Sequence, residues 1–222
     1  MRKYPLVNNH IYHVVTRSIA KYKVFNDSQD FARMVEMLRL YRYRDFTTRY
    51  SIYSRQTADR QEITRNNLSG SPRSVEIVAY CIMPTHLHLA IKQLTDKGVS
   101  RYVAKVLNSY TRYFNCVHKR KGPLWEGKFR NVLVDNDDQL LHLTRYIHLN
   151  PSSAKLVDSP ARWKYSSYHE YISRRRDRDN IASYRDLIDV APSDYRKFVN
   201  DRVAYQRQLS EIKSILLENY VG

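Results

Sequence analysis

The chain has 222 residues and a formal net charge of +16, and 42% of its residues are hydrophobic. That hydrophobic fraction is enough to build a core, which excludes global disorder, and no apolar run approaches the roughly 20 residues that a membrane-spanning helix needs. The excess of positive charge favours a polyanionic partner, with nucleic acid ahead of an anionic membrane.

The chain start and the cysteines bear on location. The first residues lack the apolar stretch and the small-residue cleavage site of a signal peptide. Cys81 and Cys116 lie in apolar or aromatic stretches without a CxxC motif, which is typical of free thiols in a reducing compartment. We therefore expect a cytoplasmic, nucleoid-associated protein.

The predicted core elements follow a simple order. Alternating β-branched and aromatic residues indicate strands, and apolar residues at helical spacing indicate helices. In chain order these are a strand over 10–18, a helix over 28–46 with Ser28 as its N-cap, strands over 75–84 and 86–94, a helix over 99–120 and a strand over 129–136. This βαββαβ order predicts an α+β, ferredoxin-like antiparallel sheet with two helices on one face and the third strand in a central position.

Three further segments complete the organisation. The Arg-rich stretch at about 47–74 is predicted as a long loop or insertion. A helix over 136–151 is expected to begin at the cap residue Asn136 and to end at Asn150, because Pro151 disfavours helical geometry in the residue before it. We predict one domain over residues 1–172 and a C-terminal helical extension over 173–222.

The stretch "MPTHLHLAIK" (83–92) places two histidines in a predicted strand. Successive side chains of a strand point to opposite faces, so His86 and His88 leave on one face and Leu87 leaves on the other. By itself the pair is either an ordinary exposed pair or two ligands of a metal site.

The helix over 136–151 offers partners for this pair. Asn150 is a candidate oxygen ligand, and Tyr146 lies one turn before it on the same flank. If the helix crosses the free face of the sheet, one small site contains all four side chains. Imidazole and oxygen ligands suit Mn²⁺ and tolerate Mg²⁺, and such an ion would polarise a phosphodiester that Tyr146 could attack.

A phosphotyrosine bond also suits strand rejoining. A phenol has a pKa of about 10 and leaves more readily than an alcohol, so the bond conserves the energy of the broken phosphodiester. Rejoining would need no ATP, and the chain contains no Walker A loop. Tyr110 and Tyr113, on the predicted helix over 99–120, are the alternative nucleophiles.

Four motifs occur together and in order. They are "YCIMPTHLHLAI" (80–91), "GPLWEGKFRNVLV" (122–134), "RYIHLNP" (145–151) and "WKYSSYHEY" (163–171). With them the chain resembles the REP-associated tyrosine transposases, which are single-tyrosine HUH (His–hydrophobic–His) transposases. The resemblance extends from about residue 8 to residue 171.

The resemblance implies specific roles. It implies a ferredoxin-like catalytic domain over 1–172, metal ligation of Mg²⁺ or Mn²⁺ by His86, His88 and Asn150, and Tyr146 as nucleophile. The implied reaction is cleavage and joining of single-stranded DNA near a folded hairpin, through a 5′-phosphotyrosine. The Arg-rich insertion is longer than expected for the family, and the tail beyond about residue 175 has no counterpart. The alternative is a domesticated, non-catalytic protein that binds hairpin DNA or RNA.

A basic run between residues 101 and 130 is predicted to follow the DNA, since Glu126 is its single acid. Its members are Arg101, Lys105, Arg112, Lys119, Arg120, Lys121, Lys128 and Arg130. Some of the 19 tyrosines would add stacking surfaces for unpaired bases. We therefore expect single-stranded or hairpin DNA as the partner, no membrane, and a monomeric or dimeric state.

Overall fold

A computed structural model describes residues 5–173, 175, 177 and 180–203. Its four strands form one antiparallel sheet in the order β2-β3-β1-β4. The strands are β1 (Ile11–Arg17), β2 (Val75–Met83), β3 (His86–Gln93) and β4 (Arg130–Val134). The predicted ferredoxin-like order and the central position of the third strand are confirmed.

Seven α-helices accompany the sheet in the described residues. They are α1 (Ser28–Tyr41), α2 (Tyr50–Tyr53), α3 (Ala58–Leu68), α4 (Gly98–Val117), α5 (Asp137–Ser153), α6 (Tyr168–Ile172) and α7 (Pro192–Asn200). None of the helices in this part of the chain is long and apolar enough to cross a membrane.

The two faces of the sheet are covered by different helices. On one face, α1 and α4 pack against alternate strand residues such as Val14, Leu87 and Leu89 and enclose the larger core. On the other face, α5 lies across β2 and β3 and forms a second core with α6 and α7. Both faces of β3 are therefore occupied along much of its length.

The Arg-rich segment was predicted as a long loop or an insertion, and the loop alternative was wrong. It contains α2 and α3, and Thr57 caps α3 by accepting a hydrogen bond from the Arg60 N–H. Leu68 is the single buried residue of α3. A helix that is polar almost all round has no hydrophobic period, so its sequence resembles a loop.

Two boundaries of α1 also differ from the prediction. Asp27, not Ser28, is the N-cap, because its carboxylate accepts hydrogen bonds from the N–H groups of Gln29 and Asp30. The helix ends at Tyr41 and not near residue 46, because the carbonyl of buried Arg42 accepts a hydrogen bond from the N–H of Ser74, the residue before β2.

The end of α5 corrects a third prediction. The helix was expected to stop at Asn150, and it continues through Pro151 to Ser153. Proline removes one backbone donor from the ladder, but here it lies in the last turn, where one lost bond costs little cooperativity. Leu149, Pro151 and Ser152 are buried, and this tertiary packing holds the last turn helical.

Part of the C-terminal extension packs on the rest of the chain. Ala182 forms an isolated parallel bridge with Ile77 of β2, and the Tyr184 ring stacks on Tyr171 with centroids 3.7 Å apart. The described residues do not include most of the charged run at 174–179 or the part of the predicted helical extension beyond residue 203. The boundary between residues 172 and 173 stays a prediction.

A chain of hydrogen bonds attaches α5 to the sheet. The Tyr80 N–H of β2 donates to Ser167 Oγ, which is 2.8 Å from His148 Nε2, and His148 Nδ1 is 2.7 Å from Tyr195 Oη. Tyr195 in turn donates to Thr144 Oγ1 of α5. Every donor and acceptor is satisfied when His148 is neutral with its proton on Nδ1. Full burial of this imidazole lowers its pKa to about 3.

This network predicts a pH-dependent effect of His148→Gln. Near pH 7 the free energy of unfolding of the variant is expected to be about 2 kcal/mol lower than that of the wild type, because glutamine cannot bond both Ser167 and Tyr195. An unfolded histidine takes up a proton below about pH 6.5, whereas folded His148 stays neutral, so the wild type alone loses this contribution on acidification. The loss is about 1.4 kcal/mol per pH unit, or about 2 kcal/mol at pH 5.

Urea unfolding of both proteins at pH 7 and pH 5 measures this difference, and the gap should close at the lower pH. His142→Gln is the matched control, because His142 lies on the same helix with about half of its side chain exposed. A gap that stays constant with pH would show that His148 is not held neutral.

Candidate functional site

The pairing of β1 with β3 builds a histidine cluster on the face that α5 covers. Arg17 pairs with His86, Val15 with His88 and His13 with Ala90, and paired residues share a face of the sheet. The predicted pair is therefore joined by His13 on the neighbouring strand. His13 and His88 stack with ring centroids 5.3 Å apart, and His86 lies 5.0 Å from His88.

Tyr146 of α5 lies against this cluster. Its ring centroid is 5.6 Å from that of His88 and 5.9 Å from that of His13, and both contacts are edge-on. The side chain is 39% exposed, whereas His88 is 2% exposed. The helix therefore places an accessible phenol over one buried imidazole, His88, and one partly buried imidazole, His13.

The three imidazoles are neutral near pH 7. Burial lowers the pKa of His13 to about 4, and burial with the nearby charge of Arg17 lowers the pKa of His86 to about 4. Burial and the neighbouring rings hold the pKa of His88 well below its ordinary value. A neutral imidazole has a lone pair to donate, which is the form that binds a metal ion.

The hydrogen bonds of the two predicted ligands both use Nδ1. His86 Nδ1 is 2.9 Å from Thr85 Oγ1, and His88 Nδ1 is 3.1 Å from His13 Nε2. Among the described residues, neither Nε2 has a hydrogen-bond partner. A histidine whose Nδ1 is bonded within the protein and whose Nε2 is free has the usual arrangement of a metal ligand.

Asn150 is placed less directly. It lies one helical turn after Tyr146, and its side-chain amide N–H donates to the Tyr146 carbonyl at 2.8 Å. No contact joins it to His86 or His88 within the described residues. The described residues contain no group of three His, Cys, Asp or Glu side chains that could hold a metal ion.

A small basic pocket surrounds the exposed phenol. It has a volume of about 280 Å³, and its lining includes His13, His88 and Tyr146. The loop before β4 forms one wall: Ser18 pairs with Trp125, and the Glu126 N–H donates to the Arg17 carbonyl. The charged residues of the pocket are the cations Arg17, Lys128 and Arg130 and one carboxylate, Glu126. The motif "GPLWEGKFRNVLV" therefore contributes directly to this site.

The predicted DNA-binding residues divide between two layers of the molecule. Lys128 and Arg130 line the pocket beside Tyr146, whereas Lys105 and Arg112 line a cleft beside α4, on the opposite face of the sheet. Arg120 is used structurally, because its guanidinium donates to Asn115 Oδ1 and to the Pro123 carbonyl. Arg101 lies in the first turn of α4, and Lys119 and Lys121 lie in the turn that follows it.

The alternative nucleophiles have other partners. Tyr110 is fully buried and donates to the Val24 carbonyl, and burial raises its pKa. Tyr113 donates to Asp30 Oδ1. His13, by contrast, belongs to the site although it is not among the site residues predicted from the sequence. Its position in β1, which alternates toward the same face as the His86–His88 pair, is the signal that could have identified it.

This fold, with a His-x-His pair on a central strand beneath a helix that carries an exposed tyrosine, is the architecture expected of a tyrosine transposase. The family model described as "Transposase IS200 like" matches residues 6–150. This range includes all four strands, the three histidines and Tyr146. The chain belongs to the IS200-like transposase family.

Individual relatives agree with this assignment. A curated protein of Haemophilus influenzae, "Putative REP-associated tyrosine transposase", is 30% identical over a match that covers 44% of this chain. The match spans 61%, or about three fifths, of that protein's length. A solved REP-associated tyrosine transposase bound to a REP hairpin aligns with a TM-score of 0.54, covering 86% of this chain and 96% of its own, at 16% identity. The resemblance found in the sequence is confirmed, and the structural match supports the fold.

Proposed function

We propose that the protein is a transposase that cuts and rejoins single-stranded DNA beside a hairpin, with Tyr146 as its nucleophile. The observation that carries the proposal is the exposed phenol, edge-on to His88 and His13 in a pocket lined by cations. The family assignment and the hairpin bound by the structural relative point to DNA as the substrate.

The residues around the phenol have separate tasks in this proposal. Arg17, Lys128 and Arg130 attract and hold the phosphates of a strand that enters the pocket. Attack by Tyr146 Oη on the phosphorus forms the phosphotyrosine bond and breaks the P–O3′ bond, and the phenol loses its proton as the 3′-oxygen gains one. One fragment keeps a 3′-hydroxyl, and the protein stays joined to the 5′-phosphate of the other.

We also propose that this site binds a divalent cation. His86 and His88 have lowered pKa values, and neither Nε2 has a hydrogen-bond partner among the described residues. The Asn150 side chain donates its amide N–H to the Tyr146 carbonyl, and its oxygen can act as a ligand. We propose these three residues as ligands of Mg²⁺ or Mn²⁺, with water or phosphate oxygens completing the coordination. When bound, the ion would withdraw electron density from the phosphodiester and neutralise developing charge.

His13 extends this proposal beyond the predicted ligands. If the His88 Nδ1–H donates to His13 Nε2, the contact holds the His88 tautomer that leaves Nε2 as the ligand atom. His13 is then a positioning residue and not a ligand. The oligomeric state and the location in the cell stay predictions.

Substitution of His13 tests this positioning role. His13→Phe should weaken Mn²⁺ binding by roughly tenfold to a hundredfold, because the His88 Nδ1–H loses its acceptor. His13→Gln, whose side-chain oxygen can still accept, should recover part of that affinity. Titration with Mn²⁺, followed by the electron paramagnetic resonance signal of the free ion, measures binding without any catalysis. Equal affinities of wild type and His13→Phe would refute the role, and His142→Gln controls for the loss of a histidine elsewhere.

Tyr146→Phe should abolish the covalent adduct. The change removes one oxygen, so the fold and hairpin binding should persist while linkage falls to background. The measurement is incubation with a labelled hairpin oligonucleotide with single-stranded flanks and Mn²⁺, followed by a denaturing gel and peptide mapping.

Tyr22→Phe, at an exposed tyrosine outside the pocket, is the matched control and should link normally. An adduct on Tyr110 or Tyr113, or one that survives in Tyr146→Phe, would contradict the assignment. A wild-type protein that binds the hairpin without ever linking to it would favour the non-catalytic alternative.

Neutralising the pocket cations should weaken binding in a salt-dependent way. For Lys128→Gln and Arg130→Gln, the slope of log affinity against log salt should become shallower by about 0.7 for each lost contact with an unpaired strand. Fluorescence anisotropy over a salt series gives these slopes. Arg162→Gln is the control, because that guanidinium is already paired with Asp158, and a slope that changes as much in the control would show a general charge effect.

A further inference from the structure

A second cleft lies on the opposite layer of the molecule from Tyr146. It has a volume of about 720 Å³ and lies between α1, α4 and residues 47–55 of the insertion. Because α4 packs on the face of the sheet that α5 does not cover, this cleft is separated from the histidine pocket by the sheet itself. Nothing in the proposed chemistry uses it.

The charged residues that line the cleft are all basic. No aspartate or glutamate is among its lining residues, and none of its cations forms an ion pair within the described part of the chain. The cations are Arg33, Arg49, Arg55, Lys105 and Arg112. Clustered cations without carboxylate partners repel one another, and the net charge of +16 offers no compensation elsewhere. Such an arrangement is stabilised by a bound polyanion.

The walls of the cleft are held in place by specific contacts. Tyr41 Oη of α1 is 3.0 Å from Ser109 Oγ of α4 and accepts a hydrogen bond from the Tyr50 N–H of α2. Lys105 Nζ donates to the Phe46 carbonyl, which ties the start of the insertion to α4. A site that is already formed before a ligand arrives loses less conformational entropy on binding.

The remaining lining is suited to an unpaired nucleotide strand. Hydroxyl and amide groups of Thr48, Ser51 and Asn108 can donate to phosphate or sugar oxygens. The Arg33 guanidinium lies 3.9 Å from the Tyr113 ring centroid, which gives a flat, cationic and aromatic surface. Combined cations and aromatic rings are the usual elements of single-strand binding.

We propose that this cleft is a second nucleic-acid site, which holds the phosphate backbone of an unpaired DNA strand. Its volume of about 720 Å³ falls within the roughly 300–1,000 Å³ of ordinary ligand pockets, which is enough for a few nucleotides. The Arg-rich insertion supplies one wall of the cleft. This gives a role to a segment for which the sequence analysis predicted none. The site goes beyond the proposed function, because it requires neither Tyr146 chemistry nor a metal ion.

A charge-matched pair of double variants tests this site. Arg49→Gln/Arg112→Gln removes two cations of the cleft, and Arg44→Gln/Arg60→Gln removes two exposed arginines that do not line it. All proteins carry Tyr146→Phe and are kept in a metal chelator, so failure of the proposed chemistry cannot affect the result. The probe is a short labelled oligothymidylate without a hairpin, measured by fluorescence anisotropy over a salt series.

The cleft pair should lower affinity roughly tenfold at low salt and make the salt slope shallower by about 1.4, and the control pair should change neither. Photocrosslinking with 5-iododeoxyuridine in the same strand should label the peptide that contains Tyr113. Equal losses in both double variants, or no loss in the cleft pair, would overturn the proposal. Displacement of the strand by equimolar dTTP would overturn it in favour of a free-nucleotide site, and tighter binding of oligouridylate would assign the cleft to RNA.

Discussion

The hydrogen-bond chain through His148 is the interaction on which the arrangement of the site depends. It connects β2, α6, α7 and α5 through one fully buried neutral imidazole. Tyr146 lies two residues before His148 on the same helix, so the chain that attaches α5 also sets where the phenol is held. A helix packed only by apolar side chains could rotate or slide slightly, whereas a fully satisfied buried polar network specifies one position.

The site combines imidazoles that are shielded from water with an exposed, positively charged rim. The sheet and α5 remove water from His13 and His88, which keeps their imidazoles neutral. At the rim, Lys128 and Arg130 and the exposed edge of Tyr146 remain open to a polyanion. Neutral imidazoles and charged side chains can therefore line the same pocket, because desolvation penalises charge only where water is excluded.

The positive charge of the chain is distributed over both layers of the molecule. One group of cations surrounds the exposed phenol, and another lines the cleft that the insertion forms with α1 and α4. A sequence run that looks like one basic track is therefore divided by the fold, since α4 and β4 lie in different layers. Some of its members, including Lys105 and Arg120, also hold backbone carbonyls and contribute to the structure of their surroundings.

Much of this protein follows from the sequence alone, because the relevant signals are local. The period-two pattern of β3 determines that His86 and His88 share a face, and the order of strands and helices indicates the ferredoxin-like sheet. The capping of α5 by Asn136 is equally local and is confirmed. What only the tertiary structure decided depends on contacts between distant segments. His13 joins the histidine cluster through the pairing of β1 with β3, which brings it to His88, 75 residues away in the sequence. Helix α5 continues through Pro151 because its last turn is buried. Helix α3 is polar and forms without a hydrophobic period that would predict it. Periodicity and capping act within a few residues, whereas strand register, burial and charge placement are fixed only when the whole chain has packed.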